Sequence, residues 1–476
     1  MGLLVDRAFI DAATAAPALR EMIRETLIEA LFTRNDRVLP KEIVAVLSRE
    51  PSVTVKAKTD IEVQKVVRVA NGSESTVTLG LPAEEFHYMR RQLSITKDRD
   101  IGVYVRPRVV TTHPWIVPPQ GGIHVDVRDL SSIEVDPKGH RALVGVGATW
   151  KTLYDEAAHS GRLVPFFPLL PLDYALGDAL VGDAVFESYA APFRRYLYGV
   201  RSFASHGRRT RVGFDEVPNH GTGYDALGLL QNSMSEFVVP VAMAVALAPR
   251  PSVVKNCTYQ FPDAAKLGAA LGKLTASGRS CLYANVYDAA AWALLHAGAT
   301  PTPFVLELGF AGAPTVVAAR EKALDTVLAG FTSKSPDTPS PYEGEARAYL
   351  RTAERIGRLL VPGYVTTPLV SLADITARLK DVSEASTASL ALFGAVRRTG
   401  TVSFAPAFDA PKEAAKMYAI SRKVSSKVEG TPGASYLSRL AQLWADDRVY
   451  RARLVVLRKL KEDIDSADVV EPMVPL

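Results

Sequence analysis

Short apolar runs of two different periodicities alternate along this chain, and this alternation restricts its fold more than any other feature. Residues 142–148 (Ala-Leu-Val-Gly-Val-Gly-Ala) are typical of a strand, whereas residues 61–70 and 150–159 place apolar side chains at helical spacing. Strands that alternate with helices predict an α/β or α+β architecture whose sheets are covered by helices. With 476 residues, the chain is expected to form two or three domains.

Composition and charge exclude several classes of protein. Apolar residues make up 47% of the chain and charged residues 22%, which is typical of globular proteins and not of disordered or fibrous ones. The net charge of +5 is too small to indicate a nucleic-acid partner. Cys257 and Cys281 are too few for a disulfide framework, so we expect two reduced thiols in the core.

Membrane and secretion signals are also missing from the pattern. The longest apolar run, residues 237–249, contains Pro240 and is far shorter than the ~20 residues that a membrane-spanning helix needs. The first residues carry Asp6 and no basic stretch before an apolar block, unlike a secretory signal. We therefore expect no transmembrane segment and a cytoplasmic location.

The order of several segments between residues 40 and 250 is more informative than any one of them. A helix pattern at 63–71 is followed by a glycine pair, strand and turn (121–136), by Val-Gly-Val-Gly-Ala-Thr-Trp (144–150), and by Tyr198-Gly199. In this order and spacing, the chain resembles the FAD-linked oxidases of the p-cresol methylhydroxylase and vanillyl-alcohol oxidase type. That group includes proteins similar to glycolate oxidase, D-lactate dehydrogenase and alkyldihydroxyacetonephosphate synthase.

The resemblance implies an α+β fold, with a two-lobed FAD-binding domain and an α/β cap domain. It divides the chain into an N-terminal helical segment (1–39), an FAD-binding-type domain (40–250), a cap or substrate domain (251–449) and a C-terminal helix and tail returning to the first domain (450–476). The implied cofactor is FAD, lying between the lobes. The implied substrate is a small hydroxy acid, such as lactate or glycolate, or an alcohol.

The same resemblance assigns the residues that would contact FAD. Glycines in tight loops let backbone N–H groups approach a diphosphate closely. The assigned positions are Arg106, Val109, Val110, Thr111, Pro168, Gly177, Asp178, Ala179, Tyr198, Gly199, Ser233 and Val239.

The glycines of these loops are largely replaced in this chain. Residues 106–113 contain an arginine and threonines but no glycine, and Asp178 stands beside Gly177 with the same sign of charge as phosphate. Val238 occupies a position where the family has glycine, so its side chain is expected to project towards the cofactor. We expect weakened FAD binding or none.

Candidate catalytic residues are few. His220 is either a proton-transfer residue near a flavin or a surface histidine, and Arg397 with Arg398 forms either a clamp for a substrate carboxylate or an exposed pair. No histidine follows His296, so we expect no metal site of the kind that the dehydrogenase branch uses.

Two functions remain open from the sequence. The chain is either a working FAD-dependent oxidoreductase of a small hydroxy acid or alcohol, or a non-catalytic structural subunit that docks with a homologous subunit or an electron-transfer protein. The replaced glycines favour the second. The stretch between Ser188 and Phe214 contains six arginines and no acid, which predicts a solvated turn, a docking surface for an acidic partner or, least of the three, a nucleic-acid contact.

Overall fold

The architecture is that of a computed structural model, and it comprises two domains built on separate sheets. The structure describes residues 53–70, 103–106, 123–136, 138–168, 175–177, 180, 186–187, 189–191, 193–215, 226–230, 237–295, 303–331, 333–334, 365–409, 420, 423–424, 431–432, 455–456 and 459–465.

The first lobe is a three-stranded parallel sheet with one helix. Strands β1 (Val53–Lys56), β2 (Val103–Arg106) and β3 (Ile123–Asp126) pair in the order β1-β3-β2. Helix α1 (Asp60–Ala70) buries its predicted apolar side at Val63, Val66 and Val67. Thr59 and Glu62 have the spacing of a capping box, and they meet at the start of the helix, where the Glu62 N–H donates to Thr59 Oγ1 at 3.3 Å.

The second lobe is an antiparallel five-stranded sheet. Its strands are β4 (Ile133–Val135), β5 (Arg141–Gly145), β9 (Leu197–Phe203), β10 (Arg209–Gly213) and β11 (Val239–Ala246), in the order β10-β9-β11-β5-β4. Gly147, just after β5, permits a close backbone crossing: a Cβ there would lie 2.2 Å from the Val127 carbonyl oxygen.

Helix α2 (Trp150–His159) follows this sheet with both of its ends defined locally. The Thr149 side chain accepts a hydrogen bond from the Thr152 N–H at 3.2 Å. The sequence predicts a glycine cap at the other end, and Gly161 there has a positive φ of 67°. Minor elements of this domain are the short strands β6 (Arg162–Leu163), β7 (Phe167–Pro168), β8 (Phe186–Glu187) and β12 (Ala248–Pro249), with helix α3 (Leu227–Leu230).

The second domain is an eight-stranded sheet with the order β16-β13-β15-β14-β18-β19-β17-β20. The strands are β13 (Val253–Phe261), β14 (Tyr283–Asp288), β15 (Phe304–Gly312), β16 (Ser333–Lys334), β17 (Val365–Pro368), β18 (Ser389–Arg397), β19 (Thr401–Asp409) and β20 (Thr431–Pro432).

Three of the described helices cover one face of this large sheet, and α5 (Ala289–Leu295) packs on the other through Trp292. The helices α4 (Ala264–Ala276), α6 (Pro314–Leu328) and α7 (Leu372–Ser386) pack on side chains such as Tyr259, Leu308 and Phe404. Helix α5 (Ala289–Leu295) follows β14 directly. The sequence also predicts helices over 264–274, 315–328 and 372–387, and these three are confirmed. Both cysteines are buried and unoxidised.

The opposite face of the sheet meets the first domain. Tyr283, Tyr287 and Phe393 from this face share one continuous hydrophobic core with Val146 and Val241 of the first domain. We call the eight-stranded sheet the cap sheet and the side of it that meets the first domain the junction face. Leu460, in the helical residues 459–464 near the C-terminus, packs against the same core.

Several predicted segments lie outside the described residues. These are the N-terminal helical segment 1–39 and residues 343–360, which the sequence predicts as a helix. The proline-rich stretch 332–341 is predicted as a surface loop; its residues 333–334 form strand β16 instead, and its other residues lie outside the described part. The four domain boundaries drawn from the sequence stay predictions. None of the described helices is long and apolar enough to span a membrane.

Candidate functional site

A buried carboxylate lies at the centre of the junction face. Glu307 is in the middle of β15, and its side chain is 0% exposed. Asn256 Nδ2 on β13 donates to Glu307 Oε1 at 2.8 Å, and the Tyr287 hydroxyl on β14 donates to Oε2 at 3.1 Å. A fully buried charged side chain is costly unless it is hydrogen-bonded, so these two donors make its position tolerable.

Two tyrosines complete this network. The Tyr283 hydroxyl donates to Asn256 Oδ1 at 3.0 Å, and the Tyr287 ring stands edge-on to Phe393 with ring centroids 6.2 Å apart. Gly309 explains how Tyr283 reaches Asn256, because a Cβ at this position would lie 2.1 Å from the tyrosine ring. The glycine lets the ring lie flat across β15 towards β13.

Asn285 is the neighbour of Glu307 on the next strand. The two residues are directly opposite in the β14–β15 register, and Asn285 is 3% exposed. Residues opposite each other in an antiparallel pair project from the same face. The Asn285 Nδ2 atom is buried and has no hydrogen-bond partner in the protein.

Small side chains surround this pair on the adjacent strands. Ala395 lies opposite Asn285 on β18, Ser403 lies opposite Ala395 on β19, and Ser403 Oγ is 2.9 Å from Thr366 Oγ1 on β17. Ala391, Ala405 and Ala407 continue the same face. The helix-covered face of the same strands instead carries large side chains such as Leu392 and Phe408.

Asp288 ends β14 and begins α5. Its Oδ1 accepts a hydrogen bond from the Ala291 N–H at 2.8 Å, which caps the helix. Burial raises the pKa of Asp288 to about 6, and the hydrogen bonds from backbone N–H groups oppose that rise only in part. This carboxyl group therefore titrates near physiological pH.

The two candidate arginines occupy the β18–β19 turn. Arg397 lies two residues beyond Ala395, so its side chain leaves the sheet on the junction face. Arg398 follows in the turn, where its backbone N–H donates to the Tyr189 carbonyl oxygen at 2.8 Å. Burial raises the pKa of Tyr189, whose hydroxyl is packed into the helix-covered core. By its position in β18, Arg397 shares the face of Glu307.

Four of the described cofactor positions, Gly177, Tyr198, Gly199 and Val239, lie in or beside the five-stranded sheet. The Gly177 N–H donates to the Val146 carbonyl oxygen at 3.0 Å, and the Val241 carbonyl oxygen accepts from the Val146 N–H at 3.1 Å. Val239 pairs with Phe203 at the start of β11, so Gly177 and Val239 lie at the same end of the sheet. Val238 is 7% exposed and packs into the hydrophobic core.

Tyr198 and Gly199 lie near the start of β9, at the opposite end of the strand from Phe203. A Cβ on Gly199 would be 2.6 Å from the Phe214 carbonyl oxygen, so this glycine is required by the chain that returns after β10. Burial raises the pKa of Tyr198. Arg106 ends β2 and Pro168 ends β7. The remaining predicted positions, Val109, Val110, Thr111, Asp178, Ala179, His220 and Ser233, lie outside the described residues.

The arginine-rich stretch forms the β9–β10 hairpin and its approach. The stretch itself contains no acid, but acidic side chains outside it pair with two of its arginines. Arg201 Nη2 lies 2.6 Å from Asp215 Oδ2, and Arg209 Nη2 lies 2.8 Å from Asp60 Oδ2. Among the described part of the chain, no three His, Cys, Asp or Glu side chains are grouped as a metal site needs.

Glu307, Asn256 and Asn285 were not predicted from the sequence. A usable signal was present: an acidic side chain in the middle of the apolar run Phe304–Gly312 is rare unless it is partnered or functional. The convergence of three strands that are distant in sequence was not readable from local periodicity.

Comparison with known proteins agrees with this architecture. The 4-ethylphenol oxidase from Gulosibacter chungangensis, solved with isoeugenol, superposes with a TM-score of 0.65 at 12% identity, over 99% of this chain and 98% of that one. Substrate-bound p-cresol methylhydroxylase gives 0.62 at 16% identity, over 95% and 96%. The chain has the p-cresol methylhydroxylase fold. An alkyldihydroxyacetonephosphate synthase shares this p-cresol methylhydroxylase fold, with a TM-score of 0.61 at 14% identity, over 96% and 90%.

Sequence similarity is more limited. A D-lactate dehydrogenase from Archaeoglobus fulgidus is 24% identical over 177 residues, and the match covers 36% of this chain and 38% of that protein. No protein-family model matches the chain. The predicted resemblance and the predicted α+β class are thus confirmed.

Proposed function

We propose that this chain is an FAD-dependent oxidoreductase that oxidises a small hydroxy compound at the junction face. The observation that supports the proposal most is the buried, hydrogen-bonded carboxylate of Glu307. Burying an ionisable group costs stability, and an apolar side chain at this position would serve a purely structural sheet better. The chemistry of the surrounding groups, a carboxylate, an amide and two phenols, suits a reaction at a hydroxyl group.

In this proposal, FAD and the residues of the junction face have distinct roles. Bound FAD supplies a two-electron acceptor. Oxidation of an alcohol carbon also releases the hydroxyl proton, and Glu307 accepts it at a carboxylate oxygen. Asn256 and Tyr287 hold the Glu307 carboxylate in one orientation through their hydrogen bonds. The relatives include a D-lactate dehydrogenase and a 4-ethylphenol oxidase, so we propose the hydroxy acid or alcohol class for this chain.

The described residues fit a flavin between the first domain and the cap sheet. The junction face presents polar groups, including the unpartnered Asn285 amide, towards the domain that carries the predicted cofactor positions. Gly177 and Val239, at the same end of the five-stranded sheet, would border the cofactor. Val238 is buried in the hydrophobic core that the two domains share.

Visible spectroscopy tests the proposal directly. Purified protein supplemented with FAD and freed of excess cofactor is expected to show flavin absorption bands. These bands should bleach without oxygen on addition of D-lactate, propane-1,2-diol or 4-ethylphenol, at least one of which carries an oxidisable group in the required class. A colourless protein, or a flavoprotein that none of the three reduces, would contradict it.

A non-catalytic subunit that docks with a homologous or electron-transfer protein is the second candidate. The arginines of the β9–β10 hairpin support it, because Arg208, Arg209 and Arg211 are exposed along an edge strand. Such a subunit would act in the cytoplasm and need not turn over substrate. It predicts a larger complex in size-exclusion chromatography of the native protein from its own cell, with salt-dependent dissociation and no flavin bleaching.

A further inference from the structure

The unpartnered amide of Asn285 is one of the few buried polar atoms in the described residues that no protein group satisfies. A buried donor without a partner costs free energy, so such groups in native proteins require an explanation. Asn285 projects from the junction face beside Glu307, and Ala395 and Ser403 follow it on the next two strands of the same face.

We infer that Asn285 is the ligand-selecting residue of this face, and that it binds the hydroxyl group of the substrate together with Glu307. The inference deepens the proposed function and rests on it for the identity of the site. A hydroxyl oxygen accepts one hydrogen bond and its hydrogen donates another. Asn285 Nδ2 supplies the donor, and a Glu307 oxygen supplies the acceptor.

A carboxylate can serve several donors at once. Each of its oxygens can accept two hydrogen bonds, and Asn256 donates to Oε1 while Tyr287 donates to Oε2. Side chains directly opposite in an antiparallel pair have Cβ atoms about 5 Å apart, which suits a single oxygen atom held between their ends. A ligand group that only accepts, such as a carboxylate, satisfies Asn285 but not Glu307.

Thr367 provides a matched control. Its Oγ1 atom is also buried and unpartnered, and the residue lies on the same sheet, in β17. Thr367 is opposite Val402 in the register, so it faces the helix-covered core and not the first domain. The variant Thr367→Val therefore removes an equally unsatisfied polar atom from the wrong side of the sheet.

Equilibrium binding separates these residues without requiring turnover. The full-length, FAD-supplemented protein is titrated in a calorimeter with propane-1,2-diol, D-lactate and 4-ethylphenol, each of which carries a hydroxyl group. We expect Asn285→Leu to weaken the best-bound probe ten- to hundredfold, as the loss of one hydrogen bond to a buried group does. Thr367→Val should leave its dissociation constant within twofold of the unmodified protein.

Thermal unfolding of the same variants guards against a folding defect. Asn285→Leu replaces an unsatisfied amide by an apolar side chain of similar size, so its melting temperature without probe should equal or exceed that of the unmodified protein. Unchanged affinity in Asn285→Leu, or no binding of any probe to the unmodified protein, overturns the inference. Binding that depends on Asn285 but is never followed by flavin bleaching upholds it and refutes the proposed oxidation instead.

Discussion

Asp288 shows how a single titratable side chain makes the stability of this protein depend on pH. Its folded-state pKa of about 6 is higher than the ordinary value of 3.8, so the fold prefers the protonated form. The associated stability is fully present below about pH 4 and is lost as the pH rises through 6. Asp288→Asn keeps a good N-cap and removes the charge. We expect it to stabilise the protein by about 1–2 kcal/mol at pH 8 and not at pH 4.

Chemical denaturation at several pH values measures this difference. Asp263→Asn is the control, because Asp263 caps α4 in the same way, with an oxygen 2.7 Å from the Lys266 nitrogen, but is exposed. A constant gain for Asp288→Asn across the pH range would show that its charge does not oppose folding.

Gly309 is a second position where a single residue decides the local structure, because it lacks a side chain. An added Cβ would overlap the Tyr283 ring and displace its hydroxyl from Asn256. We expect Gly309→Ala to lower the free energy of unfolding by about 1–3 kcal/mol, the usual range for an overpacked core. Gly272→Ala in α4 meets no atom within 4 Å and should instead stabilise the protein by about 0.5–1 kcal/mol. Equal effects of the two substitutions would contradict the packing explanation.

At the scale of elements, α2 tests the local signals that fix a helix. Thr149 caps its first turn by accepting a hydrogen bond from the Thr152 N–H. Thr149→Ala should cost about 1 kcal/mol, measured by thermal unfolding. Thr149→Ser, which preserves the hydroxyl, should restore most of it. A loss equally large in both variants would point to packing of the threonine methyl group.

Helices such as α2 were predictable because their determinants are local. The apolar spacing at 150–159 and the glycine at 161 lie within a few turns of the helix that they define. The strands of both lobes were similarly indicated by short apolar runs. The candidate site was not, because Asn256, Asn285 and Glu307 are brought together by strand register in an eight-stranded sheet. The structure buries Val238 in the core that both domains share, and the expectation that its side chain faces the cofactor stays a prediction.

At the scale of the whole molecule, the two domains share one hydrophobic core through the junction face. A polar network in such a core must be satisfied on every side, and here β13 and β14 supply partners of Glu307 while the Asn285 Nδ2 atom lacks one. In the proposed function, the cap sheet is therefore the surface that selects the substrate. The first domain is assigned the cofactor, in keeping with its predicted positions at 177 and 239.

The rate of anaerobic flavin reduction in Glu307→Gln, compared with the unmodified protein, tests this account most directly. The amide keeps the size of the side chain but cannot accept a proton, so we predict normal flavin bands and a bleaching rate lowered at least a hundredfold. Flavin bands that bleach equally fast in both proteins would contradict the claim that the buried carboxylate of the junction face serves the reaction.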